Sequence, residues 1–398
     1  MKRGISVKND LRKKIAILAL SIYVASNSVV SGTLAFMQRD LGLSITNAEM
    51  MITLASIASI VTILLNEKIT QKIGMKKCVD TGLFLVGLSA ITPVIFKSYP
   101  SIIISRLLMG AGVGLFNGHS ANYINVFFEG DEADRLHGIR ISSEFIGQMA
   151  LLFIAGLLIK IQWQLAFLVY GFAFLIMFNF NRTIPDVDIN VESTEESKFR
   201  ISGILIFYVV FIAIIIMNNT AISVRFPTIA TLAKGLDADV SLYMLILPIS
   251  GMVFGFMFGA INKLLREKTL YLGLSIYVIF NMVIALFGYN MYIYLASMFF
   301  LAFSQSLCTP YLFAEVARFA KGSQARIANN LLFIGCNVGG FLAPFFLEGI
   351  NRAFNTTSLT LAFSAFSIIY ALMLILNIYE ERKIRMWFES EFIALFYL

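Results

Sequence analysis

Twelve long apolar stretches alternate with short polar segments along this chain of 398 residues. Each stretch approaches the roughly 20 residues that a helix needs to cross the hydrocarbon core of a bilayer. The pattern therefore predicts an all-α membrane protein with twelve transmembrane helices. The predicted helices cover residues 15–37, 47–65, 78–96, 101–126, 138–159, 163–181, 201–224, 240–262, 269–288, 291–314, 327–347 and 357–378.

The distribution of cations predicts the orientation of these helices. With the N-terminus inside, 24 of the 31 Lys and Arg residues lie in inner segments and six lie in outer ones, and the remaining cation is Arg106. Such a bias is typical of cytoplasmic loops. We therefore predict that both termini are cytoplasmic. The same bias explains the formal charge of +7, so no nucleic-acid partner is expected.

Composition supports the membrane prediction and argues against other classes of protein. Hydrophobic residues make up 58% of the chain and charged residues only 14%, whereas soluble proteins carry about 25% charged residues. Cys78, Cys308 and Cys336 are widely spaced and form no disulfide or metal-binding pattern. We expect no metal, no cofactor and no enzymatic activity, and we predict a multi-pass protein of a bacterial cytoplasmic membrane.

One long polar stretch, which we predict to be a cytoplasmic linker at residues 182–200, divides the chain into two similar halves. Residues 1–181 and 201–380 each contain six predicted helices. A shift of 192 residues places Ser105 on Ser297 and Gly130 on Gly322, which favours an internal duplication of the kind found in secondary transporters. The aromatic tail at residues 381–398 is predicted to lie on the inner leaflet.

An arginine and three glycines stand out in the fourth predicted helix. A charged side chain at the centre of a bilayer costs about 2.5 to 3.5 kcal/mol even on insertion scales, so Arg106 is expected to face protein or water. Gly110, Gly112 and Gly114 follow it at every second residue. We predict that they leave one flank of the helix free for close packing against a neighbour.

Two motifs in this region resemble those of the major facilitator superfamily. Arg106, Gly110 and Gly112 match the R-x-x-x-G-x-G pattern of the family's fourth helix. The loop after the second helix resembles the family's basic loop, although Gln71 replaces its acidic residue. The residues of that loop that match are Lys72, Gly74, Lys76 and Lys77.

The resemblance covers essentially the whole chain and implies a specific architecture. Members of this family have two pseudo-symmetric six-helix bundles, transport by alternating access and usually act as monomers. Drug:proton antiporters of the family carry a Gly-Pro pair in the fifth helix, but this chain has Gly138, Gly147 and Gly156 there and no proline. That absence weakens the prediction of drug efflux without removing it.

Polar side chains within the predicted helices are the candidates for the substrate cavity. Tyr23, Asn27 and Ser31 are spaced at i, i+4 and i+8, so we predict that they share one helix face. Each candidate amide could equally form a hydrogen bond to a neighbouring helix, which contributes about 0.6 kcal/mol of stability on average. The complete set of cavity candidates is Tyr23, Asn27, Ser31, Arg106, Asn117, Gln148, Asn218, Asn219, Gln305, Thr309, Tyr311 and Asn337.

Glu144 is the candidate for proton coupling. It lies about 10 Å, or seven residues, into the fifth predicted helix. We predict that it binds and releases a proton during transport. Two alternatives remain open at this stage: Glu144 as a structural partner for Arg140 at the inner gate, and Arg106 as a ligand either for an anionic substrate or for a helix carbonyl group.

These features predict a secondary active transporter, because the chain has no phosphate-binding loop for ATP. The 37 phenylalanines and the few intramembrane charges favour proton-coupled export of an amphiphilic small organic molecule, such as a drug-like compound or a secreted metabolite. The alternative is a symporter that takes up a small organic anion. A non-transporting receptor or a channel is a third possibility. The predicted partners are the substrate, protons and the lipid bilayer.

Overall fold

The computed structural model describes residues 11–24, 26–186, 203–236, 238–266, 268–319 and 323–396. Within these ranges, side chains are described except at 134, 204, 317–319, 323–327 and 380–396. Most of the predicted linker at 182–200 and the side chains of the predicted tail at 381–398 therefore lie outside the described residues. In the described part of the chain, every secondary-structure element is a helix and there is no strand.

Eleven helices in the described residues are long and apolar enough to cross a membrane, and one bent pair completes the predicted twelve. The first half contains α1 (Leu11–Tyr23 with Ser26–Leu41), α2 (Ile45–Ile73), α3 (Met75–Phe96), α4 (Tyr99–Phe127), α5 (Asp131–Ile159) and α6 (Trp163–Thr183). The second half contains α7 (Leu205–Lys234), α8 (Val240–Leu265), α9 (Lys268–Phe287), α10 (Met291–Val316), α11 (Ala328–Ala353) and α12 (Ala362–Tyr379).

The first span is bent by 49° between its two segments. The segments Leu20–Tyr23 and Ser26–Thr33 are 3₁₀-helical. The second of these has the sequence SNSVVSGT, in which serine, asparagine, glycine and valine are weak helix formers. Hydroxyl groups also bond carbonyl groups three residues back, as Ser26 does to Tyr23 and Thr33 to Val30, both at 2.6 Å. These local bonds compete with the α-helical ladder.

Two helices extend beyond their predicted ends, which moves several charges into the membrane-spanning part of the protein. We predicted that the seventh helix ends at residue 224, but α7 continues to Lys234 and includes Arg225. Likewise, α11 continues to Ala353 and includes Glu348. The prediction was wrong here because a charged residue interrupts each apolar run, although both charges are accommodated by partners inside the protein.

The two ends of the helix bundle differ in how the halves meet. We call the end at Thr183 and Gly203 the linker side, and the opposite end the far side. On the far side, α2 packs against α11, α5 against α8, and α1 against α7. These contacts reach inwards as far as Ser56, which lies 3.3 Å from the position of a Cβ atom on Gly340.

On the linker side, the facing helices α5 and α8 are exposed. Exposed residues follow one another on α8 at Gly255, Phe256 and Met257, and on α5 at Gly138 and Ile139. Consecutive residues of a helix point about 100° apart, so the exposure is not confined to one lipid-facing side. The halves therefore touch at the far side, and we interpret the exposed faces of α5 and α8 as walls of a cleft that opens towards the linker side.

Candidate functional site

Six of the predicted cavity residues and Glu144 are half-buried, and contacts bring several of them to the inner boundary between the halves. Asn27 donates from its amide to Ser56 Oγ at 3.4 Å, and Gln148 donates to Ser28 Oγ at 3.2 Å. Asn337 lies three residues from Gly340 on the linker side of that contact. The members of this group are half-buried, and we call them the cleft residues: Asn27, Glu144, Gln148, Asn219, Gln305, Thr309 and Asn337.

An aromatic side chain marks the floor of the cleft. A Cβ atom on Gly251 of α8 would lie 2.6 Å from the ring of Phe145 on α5, so the two helices meet closely here. Ser306 of α10 donates to the carbonyl oxygen of Gly251 at 3.3 Å, which brings Gln305 to the same level. Phe313 and Phe333 form a ring pair at 5.4 Å on α10 and α11. The surroundings of the cleft are therefore aromatic as well as polar.

Glu144 pairs with a cation on its own helix. Arg140 donates from Nη1 to Glu144 Oε1 at 2.7 Å, and the two side chains are 17% and 21% exposed. The pair is neutral overall, and both groups can be reached from the linker side. The Arg140 Nε atom is buried without a hydrogen-bond partner in the described residues. The pair can therefore meet a bound molecule with a carboxylate, a guanidinium, or both.

Arg106 is fully buried and bonded to protein. Its Nη2 atom donates to the carbonyl oxygens of Asn27 and Ile52, both at 2.7 Å, and its Nη1 atom donates to the Tyr170 hydroxyl at 2.9 Å. Tyr170 in turn donates to the carbonyl oxygen of Ser26 at 3.2 Å. Of the two roles considered from the sequence, this arrangement corresponds to the helix-carbonyl role. The guanidinium ties the bend of α1 to α2, α4 and α6.

Several other predicted cavity residues contact helices instead of the cleft. Tyr23 is fully buried and donates to the carbonyl oxygen of Val169 at 2.9 Å, while Ser31 is buried with no hydrogen-bond partner in the described residues. The expectation that Tyr23, Asn27 and Ser31 share a face was based on α-helical spacing. Because α1 is bent and partly 3₁₀-helical, Tyr23 reaches α6 and Asn27 reaches α2.

The two neighbouring asparagines of α7 have different surroundings. Asn218 is fully buried and donates to Asn281 Oδ1 at 2.7 Å, and Asn281 donates back to Asn218 Oδ1 at 3.2 Å. This pair joins α7 to α9, so the Asn218 amide is used in helix packing. Asn219 is half-buried and points to a different side of the helix. Asn117 and Tyr311 are also half-buried, and Asn117 lies at a break in α4 after Phe116.

The predicted basic loop has two kinds of cation. Lys72 and Lys77 are exposed, whereas Lys76 donates to the carbonyl oxygens of Ile184 at 2.7 Å and Asn181 at 3.3 Å. A cation is favourable beside the unpaired carbonyl groups at a helix end, so Lys76 fastens α3 to the end of α6. Gly74 joins α2 to α3 with φ +85°, which favours glycine. The resemblance to the family's basic loop implies a gating role for Lys72, Gly74, Lys76 and Lys77, and this stays a prediction.

We predicted that the three glycines of α4 leave one flank free for a single neighbour. They instead face two different helices. Gly110 and Gly114 approach α2 at Ala55 and Thr62, while Gly112 approaches Gly82 of α3. The correction follows from helix geometry, because residues two apart point in nearly opposite directions and residues four apart point the same way. Close packing on both sides fixes α4 within the first half.

An ion pair that the sequence reasoning missed joins the halves at the far side. Arg225 Nε of α7 lies 3.1 Å from Glu49 Oε1 of α2, and the side chains are 3% and 0% exposed. Our predicted seventh helix ended at residue 224 and left Arg225 outside the membrane. Ser44 is the residue that caps α2, by accepting a hydrogen bond from the backbone of Asn47. A signal was present in the sequence, because the residues after Arg225 return to an apolar pattern.

Further polar contacts between the halves surround this pair. Thr46 of α2 donates to Glu348 Oε2 of α11 at 2.9 Å, and Lys160 of α5 pairs with Asp239 before α8 at 2.7 Å. A cavity of about 280 Å³ lies beside the ion pair and extends to exposed residues after α11. Its lining includes Thr46, Arg225, Glu348, Asn351, Arg352 and Asn355. We call Glu49, Arg225, Glu348 and Arg352 the far-side charge cluster.

Comparison with known proteins identifies the family. The model of the Major Facilitator Superfamily matches residues 16–344, which is most of the chain. The chain belongs to the major facilitator superfamily. As a member, it is a multi-pass membrane transporter with the twelve-helix fold. A search of curated proteins finds no significant match.

Solved structures of the superfamily share this fold at low sequence identity. The inward open conformation of the xylose transporter XylE from E. coli is 16% identical, with a TM-score of 0.72, over 91% of this chain and 94% of that chain. A D-xylose-proton symporter is 15% identical, with a TM-score of 0.71, over 91% and 96%. The peptide transporter POT in complex with sulfate is 12% identical, with a TM-score of 0.74, over 96% and 97%.

Proposed function

We propose that this superfamily member is a proton-coupled exporter of an amphiphilic small organic molecule that carries a positive charge. The observation that carries the proposal is the Arg140–Glu144 pair at 2.7 Å in an aromatic cleft that opens to the linker side. The distribution of cations along the sequence supports assigning the linker side to the cytoplasm. A substrate from the cytoplasm would then enter the cleft from this side.

The chemistry of Glu144 supports exchange between a proton and a cationic substrate. When Glu144 is ionised, it can bond either Arg140 or a cationic group of the substrate. When it is protonated, it attracts neither cation strongly. Binding of a cation and binding of a proton are therefore competitive at this carboxylate, which is the basic requirement for antiport. The aromatic side chains around the cleft, including Phe145, would contact the apolar part of the substrate.

The proposed cycle alternates between two arrangements of the halves, one closed at the far side and the other closed at the linker side. In the arrangement described above, the far side is closed by α1, α2, α5 and their partners α7, α11 and α8. Release at the far side requires these contacts to separate and the linker side to close. Such a transition is the alternating access that repeat-built transporters use. The remaining cleft residues, including Asn219, Gln305 and Asn337, would hydrogen-bond the substrate from the second half.

Uptake of a small organic anion by symport is the second candidate, and Arg140 is the observation that favours it. Its Nε atom is buried without a hydrogen-bond partner in the described part of the chain, so the guanidinium has capacity for an anion. The solved D-xylose-proton symporter shares the fold, which fits a symport cycle equally well. In this alternative Arg140, which is 17% exposed, and not Arg106, which is fully buried, would bind the substrate anion.

The sign of proton movement separates the two candidates. Inside-out vesicles with an acidic lumen and a lumenal pH-sensitive dye would receive cationic amphiphiles, organic anions, pentoses or short peptides. An exporter that exchanges substrate for protons makes the lumen more alkaline when its substrate is added outside. A symporter running in reverse makes the lumen more acidic, because substrate and proton enter together. A lack of response to every class would contradict both candidates.

Variants of α5 test the role of Glu144 in the same assay. Glu144→Gln should abolish substrate-induced proton movement, because the amide cannot titrate. Counterflow of labelled substrate should persist but need a higher substrate concentration, because a neutral amide attracts a cation less strongly than a carboxylate. The matched control is Glu132→Gln on the same helix. It removes an exposed carboxylate that pairs with Lys14. Normal proton movement in Glu144→Gln would remove this carboxylate from the coupling.

A further inference from the structure

The ion pair between Glu49 and Arg225 is unusual because it combines deep burial with weak hydrogen bonding. Both side chains are at most 3% exposed, yet neither Glu49 oxygen nor Arg225 Nε has a hydrogen-bond partner in the described residues. Buried ion pairs are tolerated when good geometry and further hydrogen bonds compensate for the loss of water. This pair is held mainly by charge attraction across the boundary between the halves.

The groups that interact electrostatically with Glu49 come from three helices of the second half. Arg225 of α7 attracts it, Glu348 of α11 repels it, and Tyr294 of α10 interacts with both members of the pair. Glu348 is itself bonded to Thr46 and to Arg352, the latter at 2.9 Å. Because the side chains of Glu348 and Arg352 are 31% and 80% exposed, their influence is screened by solvent. Arg225 is therefore the dominant partner of Glu49.

A cavity on the far side reaches the Arg225 member of this pair. The cavity of about 280 Å³ is lined by Arg225, Thr46 and Glu348, and it extends to the exposed Asn355. A cavity of this size with several polar groups can hold water. Protons from the far-side solution can therefore reach the neighbourhood of Glu49 while the halves remain in contact, even though the cleft and Glu144 open to the opposite side.

From this arrangement the geometry points to a second proton site, at Glu49, that opens the far-side contact between the halves. A proton from the far-side cavity adds to one carboxylate oxygen of Glu49 and gives a neutral carboxylic acid, with no other bond made or broken. Arg225 is then a buried cation without its counter-charge. Separation of α2 from α7 returns the guanidinium to water, so protonation favours the open far side. Loss of the proton restores the attraction and closes the far side.

This inference concerns the gate of the transporter and can be tested without a substrate. Spin labels at Asn47→Cys on α2 and Ala353→Cys on α11 lie at exposed positions of the far side in opposite halves. The three native cysteines would be replaced by alanine. Pulsed electron–electron double resonance in nanodiscs, at about pH 8 and about pH 5, then reports the distance between the two spin labels and so between the halves. In wild type, the ratio of long to short distances should rise at least about tenfold at the lower pH.

Three variants of the pair give a pattern that only the proposed proton site explains. Glu49→Gln should show the long distance at both pH values, because Arg225 always lacks its counter-charge. Arg225→Gln should show the short distance at about pH 5, where wild type opens, because the protonated Glu49 then leaves no buried charge. The double variant Glu49→Gln/Arg225→Gln should be closed at both pH values. It also controls for folding, since it removes both charges together.

The matched control is Glu348→Gln, which removes the other carboxylate of the far-side charge cluster. It should preserve the pH response of wild type. A closed far side in Glu49→Gln at both pH values, or a pH response that survives in the double variant, would overturn the inference. Loss of the response in Glu348→Gln alone would assign the proton to Glu348 instead. Since no substrate is present, these results stay separate from those for Glu144, and the gate can respond to pH even if the proposed export is wrong.

Discussion

Arg106 Nη2 lies 2.7 Å from the backbone carbonyl oxygen of Asn27, just beyond the bend in α1. The carbonyl groups near the bend lack a regular α-helical ladder, and in a membrane they need other donors. Arg106 supplies one there and another to Ile52 of α2. The buried cation therefore stabilises the irregular backbone, while the bend gives the cation the acceptors that lipid cannot offer.

Replacement of Arg106 should lower stability before it affects substrate binding. Arg106→Leu leaves the carbonyls of Asn27 and Ile52 without their donor, and each hydrogen bond to a charged group contributes about 1.5–3 kcal/mol. Arg106→Lys should be intermediate, because an ammonium group cannot reproduce the planar arrangement of donors. Thermal unfolding in detergent measures the effect. Tyr170→Phe serves as a milder comparison, with an expected loss of about 1 kcal/mol. Unchanged melting of Arg106→Leu with a loss of substrate binding would instead make Arg106 a substrate ligand.

A methyl group at Gly110 should be far more damaging than one at Gly118 of the same helix. The added Cβ of Gly110→Ala would overlap the backbone carbonyl of Ala55, so α2 and α4 must move apart at a cost of about 1–3 kcal/mol. Gly118→Ala is the matched control, because no atom lies within 4 Å of its Cβ position. Size-exclusion profiles after heating would compare the two variants. Equal stability would show that the helices separate easily at this contact.

Two adjacent asparagines should give different kinetic phenotypes. Asn218→Ala removes one side of the buried amide pair with Asn281 and should reduce the free energy of unfolding by about 1–3 kcal/mol, with little change in KM. Asn219→Ala should instead raise KM with little effect on stability, because its half-buried side chain is one of those that we propose to bond the substrate. Once a substrate is known, transport kinetics and thermal unfolding of both variants check this prediction. A raised KM in Asn218→Ala alone would reverse the assignment.

Cross-linking of the halves at the floor of the cleft should stop transport reversibly. The Cβ position of Gly340 lies 3.3 Å from Ser56 Oγ, the atom that a cysteine sulfur would replace. The two Cβ positions are therefore close to the separation of about 3.5–4.5 Å found in disulfides, which suits a bridge between Ser56→Cys and Gly340→Cys. Oxidation should hold the far side closed and abolish transport, and reduction should restore it. Each single cysteine variant, treated in the same way, is the control. Full transport by the oxidised double variant would mean that these helices need not separate.

The sequence was sufficient to predict the spans and the family because both depend on local patterns. Runs of apolar residues define each helix, and the motif at Arg106, Gly110 and Gly112 is contiguous. The prediction failed where a charge lies inside a helix. Arg225 ended the predicted seventh helix because its partner, Glu49, is 176 residues away in the chain, and only the packed structure shows that the two charges meet.

The candidate site was predicted less completely for a related reason. Spacing indicates which residues could share a face only if the helix is regular, and α1 is not. Tyr23 and Asn27 therefore point to different neighbours. For Asn218 and Asn219, the sequence offers no distinction, because neighbouring amides have the same chemistry and only the position of α9 decides which one is buried.

The bend in α1 also separates the parts of the protein that can respond to acidity from those that cannot. A guanidinium group keeps its charge throughout the range of pH found in cells, so the junction of α1, α2, α4 and α6 around Arg106 keeps the same bonds whether the compartment is acidic or neutral. The corresponding position in the second half is Met298, which carries no charge. We therefore expect the first half to behave as a rigid body in acid, while protons act only where carboxylates lie at its edges.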